Sequence, residues 1–250
     1  MRILAGAIGL MVGVGLVPAL AADLLTPLFK APPAGPPPFS WTGCYAGVEG
    51  GGAWGQSQHV AATAPRPANV GLPITLRFNL AGALAGGTVG CNYQVGNVVL
   101  GVENDISWTN KGASSPDMPP FSRGAISSTN EKWIDTLRGR VGWAWDRFLV
   151  YGTGGAAFAG VDVSACSPTA ICVSDSRTRT GWSAGVGGEW AVWSVPAGTA
   201  TLKIEYLHAD FGAGLFVSPP VTVGRNTFAS RNVSLTDDLV RAGLNWKFNW

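Results

Sequence analysis

Apolar and polar side chains alternate along the last segment of the chain, residues 238–250. Apolar or aromatic residues occupy every second position there, and Arg241, Asn245 and Lys247 lie between them. Alternation with a period of two predicts a β-strand that has one apolar face and one polar face. The same pattern recurs upstream and predicts eight strands, at about 43–54, 80–93, 98–109, 132–145, 148–160, 179–192, 200–210 and 238–250.

The links between the predicted strands alternate in length. Short links lie at 95–97, 146–147 and 193–199, whereas the other links are long and rich in Pro, Ser, Asn and Gly. Short turns on one side and long loops on the other are typical of an outer-membrane barrel, in which the short turns face the periplasm. The predicted fold is therefore all-β, an eight-stranded antiparallel up-and-down transmembrane β-barrel.

The charged residues of the strands fall on one face, and the large apolar residues fall on the other. A soluble barrel would turn the apolar face inward, but an eight-stranded interior is too narrow for the many tryptophans on that face. We therefore expect the charged face to line the interior, where equal numbers of acids and bases neutralise each other. The predicted interior charge network comprises Glu49, Glu103, Asp105, Arg138, Arg140, Glu189, Lys203, Glu205, Arg241 and Lys247. The outward aromatic girdle at the membrane interfaces comprises Trp54, Trp108, Trp145, Trp190, Trp246 and Trp250.

Composition agrees with this fold and sets other classes aside. The chain has 250 residues with 11 Trp, 13 % charged residues and a formal net charge of +2, so nucleic-acid binding is not expected. Residues 1–21 contain an early Arg, an apolar run and a small-residue cleavage signal, which predict a signal peptide; a transmembrane anchor is the alternative, but the run is too short. Residues 22–40 are Pro-rich and are expected to form an extended periplasmic lead, and residues 41–250 to form the barrel.

Export makes the four cysteines candidates for disulfides, and three sets of pairs are open. Cys166 and Cys172 flank a short segment, and Cys44 and Cys91 would be partners if the first two strands form a hairpin. We therefore predict these two pairs. A zinc site is the alternative, but no CxxC motif occurs and the two His are isolated, so we predict no metal.

Two histidines and the loop residues are the remaining candidates for chemistry. His208 lies beside Asp210 near the outer end of a strand, where a lipid-modifying enzyme would need a His with a Ser or an Asp. Ser107 and Ser218 come into question as nucleophiles, but no spacing selects either, so we predict no catalytic residue and no cofactor. Ligand and lipopolysaccharide contacts are expected in the long loops, whose basic residues are Arg66, Arg77, Lys111, Arg123, Arg177, Arg179, Arg225 and Arg231.

Six ordered stretches resemble one family of small outer-membrane proteins. They are PPPFSWTGCYAGVEGGGAWG (36–55), GVENDISW (101–108), TLRGRVGWAWDRFLVYGTGGAAF (136–158), GWSAGVGGEWA (181–191), KIEYLHADFG (203–212) and VRAGLNWKF (240–248). They resemble the Omp25/Omp31-like porin-family surface proteins of alphaproteobacteria. The resemblance implies an eight-stranded barrel in the outer membrane of a Gram-negative bacterium, with roles in envelope integrity and host interaction and with haemin binding in some members.

The resemblance also implies that "porin" is a name for the fold. We therefore predict a structural surface protein whose lumen is plugged by ion pairs, with a small-solute channel or a haemin or host-ligand binder as the alternatives. Relatives usually carry an aromatic residue at the position of Cys44 and usually end on Phe, whereas Phe248 is followed here by two residues. The C-terminal strand resembles the signal that the outer-membrane assembly machinery selects, and the candidate residues are Trp246, Phe248 and Trp250.

Overall fold

The alternating segments form long antiparallel strands in the computed structural model, which describes residues 39–248 except 65, 122–123, 170, 218–221, 224–225 and 228–229. The long strands are β1 Gly43–Ala61, β2 Phe78–Val95, β3 Val98–Thr109, β5 Ile126–Trp145, β6 Phe148–Cys166, β7 Cys172–Val195, β8 Gly198–Phe216 and β11 Arg231–Phe248. The short strands are β4 Gly112–Pro116, β9 Thr222–Val223 and β10 Asn226–Thr227, and a 3-10 turn spans Pro67–Asn69. The predicted signal peptide, the lead up to residue 38 and Trp250 lie outside the described residues.

The eight long strands close into a ring. They pair antiparallel in the order β1-β11-β8-β7-β6-β5-β3-β2, and β1 also pairs with β2. Strand β4 pairs with β5 and, at one position, with β2. Closure removes the unpaired strand edges that lipid could not satisfy. The predicted eight-stranded up-and-down barrel is confirmed.

The register of β1 against β2 decides which side chains face inward. Cys44 lies opposite Cys91, and their sulfur atoms are bonded. The same register keeps Glu49 inside, because a shift by one residue would move every side chain of β1 to the other face. A second disulfide joins Cys166 to Cys172 at the outer ends of β6 and β7.

The strands continue beyond their predicted outer ends. Strand β1 ends at Ala61 instead of residue 54, β5 begins at Ile126 instead of 132, and β11 begins at Arg231 instead of 238. The prediction gave each strand about the length that a tilted membrane strand needs, but backbone hydrogen bonding continues beyond that length and needs no apolar side chains. Much of each predicted outer loop is therefore strand.

The exterior of the barrel carries large apolar side chains. Trp54 and Trp108 lie toward the outer ends of their strands and are 44 % and 64 % exposed, whereas Trp145 and Trp190 lie toward the periplasmic ends and are 57 % and 55 % exposed. Trp246 packs edge-on against another exterior indole. Indole rings favour membrane interfaces, so these residues form two aromatic bands around an apolar belt. Among the described residues, no helix is long and apolar enough to cross a membrane.

Candidate functional site in the barrel interior

The inward charged side chains meet in one buried network. Arg138 on β5 bonds to Glu103 at 2.7 Å, to Asp105, and to Glu205 at 3.0 Å. Arg241 on β11 bonds to Asp105 at 3.2 Å and also to Glu205. These five residues are at most 2 % exposed. Each carboxylate therefore receives charged donors from more than one strand, the condition under which a buried ion is tolerated.

A lysine and a fourth carboxylate complete the middle of the network. The Lys203 ammonium lies 3.3 Å from carboxylate oxygens of Glu103 and Asp105 and 3.5 Å from Glu49. Glu49 also accepts a hydrogen bond from Arg241 at 2.6 Å. These bonds connect β1, β3, β8 and β11, so the network joins residues from all sides of the ring.

Arg140 lies between two aromatic rings at the edge of the network. Its guanidinium carbon is 4.9 Å from the centre of the Tyr45 ring and 4.8 Å from that of Tyr151, an arrangement that favours a cation. Arg140 also donates to Glu189 at 3.1 Å and to Glu103 at 3.3 Å. The two tyrosines were not among the predicted network residues, although the parity of Tyr45 with Glu49 placed it on the inward face.

Lys247, the tenth residue of the predicted network, lies at the periplasmic mouth. Its ammonium is 5.4 Å from the centre of the Phe39 ring. It is the last inward residue before β11 ends at Phe248, so its side chain borders the mouth. The nine other predicted residues meet in the network, five of them carboxylates and four of them cations.

Three carboxylates of the network are grouped as the ligands of a cation site would be. Oxygen atoms of Glu103, Asp105 and Glu205 lie within 4.8 Å of one another. Arg138 bonds to all three, and Lys203 bonds to two of them. Side-chain cations therefore occupy the position that a metal ion would take, and the grouping is explained by ion pairing.

The interior becomes apolar on the outer side of the network. Toward the outer end of β8, the inward residues change from Lys203 and Glu205 to Leu207. Toward the outer end of β11, the next inward residue beyond Arg241 is Leu239. This apolar layer was not predicted, since the interior was expected to hold charges and glycines. The buried residues of the layer are Ala53, Leu80, Leu84, Ile134, Ala157, Ala159, Val161, Val163, Leu207, Ala209, Phe211, Phe216, Val233, Leu235 and Leu239.

A second buried ion cluster lies among these apolar residues. The Lys111 ammonium bonds to Glu131 at 3.0 Å and to Asp237, and the three side chains are at most 1 % exposed. Lys111 was predicted to be a loop residue available to ligands, and this expectation is wrong. It directly precedes β4, and its side chain enters the interior because the neighbouring strands continue outward beside it.

A chain of polar groups closes the outer end of the described interior. Arg231 donates to Ser127 at 2.6 Å and to Nδ1 of His59 at 3.2 Å, so Nε2 of the imidazole carries the proton that bonds to Thr129 at 2.8 Å. Ser127 donates in turn to Asp117, in the segment after β4. Burial raises the pKa of the Asp117 carboxyl, although the bond from Ser127 and the charge of Arg231 oppose that change. Arg231, like Lys111, is therefore buried and does not form the expected loop contact surface.

The periplasmic mouth is closed by an aromatic side chain that precedes the first strand. Trp41 is 1 % exposed, and its indole nitrogen donates to the carbonyl oxygen of Asp146 at 3.0 Å. Its backbone nitrogen donates to Gln94 at 2.7 Å, and Phe39 packs edge-on against its ring at 5.1 Å. Sequence reasoning did not single out Trp41. The buried residues packed with it are Val99, Ala144, Leu149, Tyr151 and Ala191.

The residues considered for catalysis lie on opposite sides of the barrel wall. His208 faces outward and bonds to Asp238 at 2.9 Å, across the strand pair, instead of to its sequence neighbour Asp210. Ser107 faces inward and donates to Glu49 at 2.8 Å. An imidazole outside the wall cannot activate a hydroxyl inside it. Ser218 lies outside the described residues.

The remaining loop arginines have separate surroundings. Arg66 and Arg77 are exposed, Arg177 bonds to Asp175 at 2.8 Å, and Arg179 donates to the carbonyl oxygen of Phe211 at 2.7 Å. Arg123 and Arg225 lie outside the described residues. These side chains do not converge on one contact site in the part of the chain that the structure describes.

A closed antiparallel ring with an apolar exterior, two aromatic bands and charged residues on its inward face defines an outer-membrane β-barrel. The family profile described as "Outer membrane protein beta-barrel domain" matches residues 40–248. The 31 kDa outer-membrane immunogenic protein of Brucella melitensis is 33 % identical over 244 residues, which cover 92 % of this chain and 93 % of that protein. The 25 kDa outer-membrane immunogenic protein of Brucella abortus is 26 % identical over 234 residues, which cover 92 % and 91 %.

The chain belongs to the Omp25/Omp31-like family of outer-membrane β-barrel proteins. Its location is the outer membrane of a Gram-negative bacterium. Among solved structures, OprG from Pseudomonas aeruginosa is similar with a TM-score of 0.42 and 11 % identity, over 84 % of this chain and 98 % of that one.

Proposed function

We propose that this protein is a structural component of the outer membrane, which spans that membrane, presents its outer strands and loops at the cell surface and does not conduct solutes. The observation that carries the proposal is the bonding of side chains across the interior, above all between Arg138 on β5 and Glu205 on β8. Those bonds cross the interior between strands that are not neighbours, and we infer that they block the path of a solute.

Energetics support a permanently closed interior. Separating the partners of a buried ion pair costs about 3–5 kcal/mol, because each charge is then left without compensation. The apolar layer beyond the network adds a second barrier, since an ion would lose its water on passing the apolar side chains there. Trp41 adds a third closure at the periplasmic mouth. A thermal fluctuation in one layer would therefore leave the others shut.

Two further features support surface presentation and assembly. The long polar outer ends of the strands raise the loops above the apolar belt, and the relatives at 33 % and 26 % identity carry the word "immunogenic" in their names. The outward aromatic residues Trp246 and Phe248 of the last strand suit recognition by the outer-membrane assembly machinery. We therefore propose the assembly machinery as a partner of the protein, in addition to membrane lipid.

Conductance measurements test the closed interior. The refolded protein should give no steady currents in a planar lipid bilayer. An open general porin, measured separately under the same conditions, should give them. Gel electrophoresis shows that the sample is folded if the unheated protein and the heated protein migrate differently. Steady single-channel currents from the wild type whose size changes on Arg138→Ala or Glu103→Ala substitution would contradict the proposal and favour a channel.

A further inference from the structure

An open groove crosses β5, β6 and β7 on the outside of the barrel. The residues that line it include Lys132, Trp133, Gly160, Asp162, Ser176, Arg177 and Thr178. Its volume is about 180 Å³, smaller than the roughly 300–1,000 Å³ of pockets that enclose a whole drug-sized ligand. The groove is therefore suited to a small part of a larger molecule, such as a sugar ring.

A β-bulge creates the groove. The pairing of β5 with β6 shifts between Glu131 and Trp133, so that Lys132 and Trp133 both face outward although they are consecutive. Glu131 and Ile134, on either side of them, are buried in the interior at 1 % and 2 % exposure. The bulge places a cationic side chain and an indole ring next to each other on the same outer face.

The indole of Trp133 lies directly over a glycine. Trp133 pairs with Gly160 on β6, and a Cβ atom added at Gly160 would lie 2.2 Å from the indole nitrogen and 2.6 Å from Cε2. Any side chain at residue 160 would push the ring away from the strand. Trp108, the partner of Trp133 on β3, is 64 % exposed, whereas Trp133 is half-buried. Trp133 therefore offers one ring face as a platform, on which the C–H groups of a sugar pack well.

Hydrogen-bonding groups of both kinds surround this platform. The Lys132 ammonium and the Asp162 carboxylate are 3.6 Å apart, and their side chains are 61 % and 37 % exposed. So exposed a pair contributes little to stability, and its donor and acceptor remain accessible to a ligand. Ser176 lies opposite Asp162 and Thr178 lies opposite Gly160, which brings two hydroxyl-bearing residues to the other wall. Sugar hydroxyls, which both donate and accept, match this set.

The position of the groove identifies its occupant. On the periplasmic side of it, Leu137 and Trp182 belong to the apolar exterior and are each 51 % exposed. On the outer side, the outward residues are polar, among them Ser128, Asn130 and Ser174. The groove lies at the border between the two, which is the headgroup level of the outer leaflet. A molecule held there lies at the level of lipid headgroups, and the hydrogen-bonding groups around Trp133 match a sugar headgroup.

We propose that this groove binds the sugar headgroup of a glycolipid in the outer leaflet. The Trp133 ring packs against a sugar face, Asp162 accepts hydrogen bonds from its hydroxyls, and Lys132 donates to its oxygens. Of the function proposed above, this inference uses only the position of the barrel in the outer membrane. It is independent of whether the lumen conducts, so the two proposals fail separately.

Binding of lipopolysaccharide to the folded protein in detergent micelles tests the site, with native mass spectrometry as the readout and phosphatidylglycerol as the sugar-free anionic comparison. The wild type should retain lipopolysaccharide in preference to phosphatidylglycerol. Trp133→Ala and Asp162→Asn should each weaken lipopolysaccharide binding about tenfold, which is the loss of about 1.4 kcal/mol. Trp108→Ala is the matched control, because it removes the neighbouring exterior indole that has no glycine platform, and it should leave binding within about twofold.

Three results would overturn the proposal. One is equal retention of phosphatidylglycerol and lipopolysaccharide by the wild type. Another is equal binding by the Trp133→Ala and Trp108→Ala proteins. The third is binding of the deacylated oligosaccharide as tightly as the intact glycolipid, which would indicate a soluble glycan as the ligand. Asp162→Asn changes an exposed side chain and keeps its shape, so the site remains testable if Trp133→Ala does not fold.

Discussion

Arg138 and Glu205 bond to each other although their strands are not neighbours in the ring. Nη1 of Arg138 donates to Oε2 of Glu205 at 3.0 Å, between residues 67 positions apart in sequence. Strands β6 and β7 lie between β5 and β8 along the wall. The same guanidinium bonds to Glu103 on the other neighbour of β5. The ion network therefore crosses the interior instead of lining one wall.

Replacing Arg138 by Met should strongly destabilise the folded barrel. The substitution leaves Glu103 and Glu205 buried with fewer donors, and such a loss costs about 3–5 kcal/mol. Urea unfolding in lipid vesicles measures the change. Lys132→Met is the control, because it removes a cation from an exposed pair with Asp162 and should change the free energy of unfolding by less than about 1 kcal/mol. A loss in the Arg138→Met protein as small as that in the Lys132→Met protein would show that the interior bonds add little stability.

Replacing Trp41 by Ala should destabilise the barrel without opening it. The side chain is buried and its indole nitrogen is bonded to Asp146, and removal of a buried Trp costs about 3–5 kcal/mol. Planar bilayers should stay silent, because the ion network and the apolar layer remain. Trp145→Ala removes an exterior indole that is 57 % exposed, and its loss of stability should be smaller. Steady currents from the Trp41→Ala protein would mean that the periplasmic mouth is the sole closure.

The two disulfides should contribute unequally to stability. Cys44 and Cys91 are 47 positions apart, whereas Cys166 and Cys172 are 6 apart. A crosslink that closes a longer loop restricts the unfolded chain more, and loop entropy gives about 4 kcal/mol for the first pair and about 2 kcal/mol for the second. Urea unfolding of the two double Cys→Ser variants measures both values. The expected order would be refuted by a larger loss in the Cys166/Cys172 variant.

The membrane-spanning part of the fold was predictable because lipid imposes a strict alternation. In β3, Glu103, Asp105 and Ser107 face inward, and Leu100 and Ile106 face outward. A period of two therefore gives both the strand and the side of each residue. Because the interior of a small barrel must be filled by side chains, the inward charges could be expected to meet. Their partners could not, since pairing depends on which strands face each other across the ring.

The outer half of the barrel was less predictable because its side chains are polar on the outside and mixed on the inside. In β11 the outward residues Asn232, Ser234 and Thr236 look like a loop in sequence. Lys111 and Arg231 were accordingly assigned to loops, although their side chains are buried. Trp41 has the inward parity of Tyr45 but precedes the first strand, so its place in the periplasmic mouth is visible only in three dimensions.

Removing residues 248–250 should block insertion into the outer membrane more than it weakens folding. Phe248 faces outward, is 44 % exposed and lies opposite Gly198 at the periplasmic end of the barrel, so its loss leaves the interior network in place. If the assembly machinery selects the last aromatic residues of the strand, the truncated protein should be nearly missing from the outer-membrane fraction of cells. The same protein, purified and refolded in detergent, should still show migration that changes on heating.

Removal of residues 249–250 alone is the matched control for that truncation. It leaves the aromatic residue Phe248 at the end of the chain, and it should restore outer-membrane levels to those of the wild type. A normal level of the 248–250 truncation in the outer membrane would show that the machinery does not need Phe248. A failure of both truncations to refold in detergent would instead give these residues a role in folding.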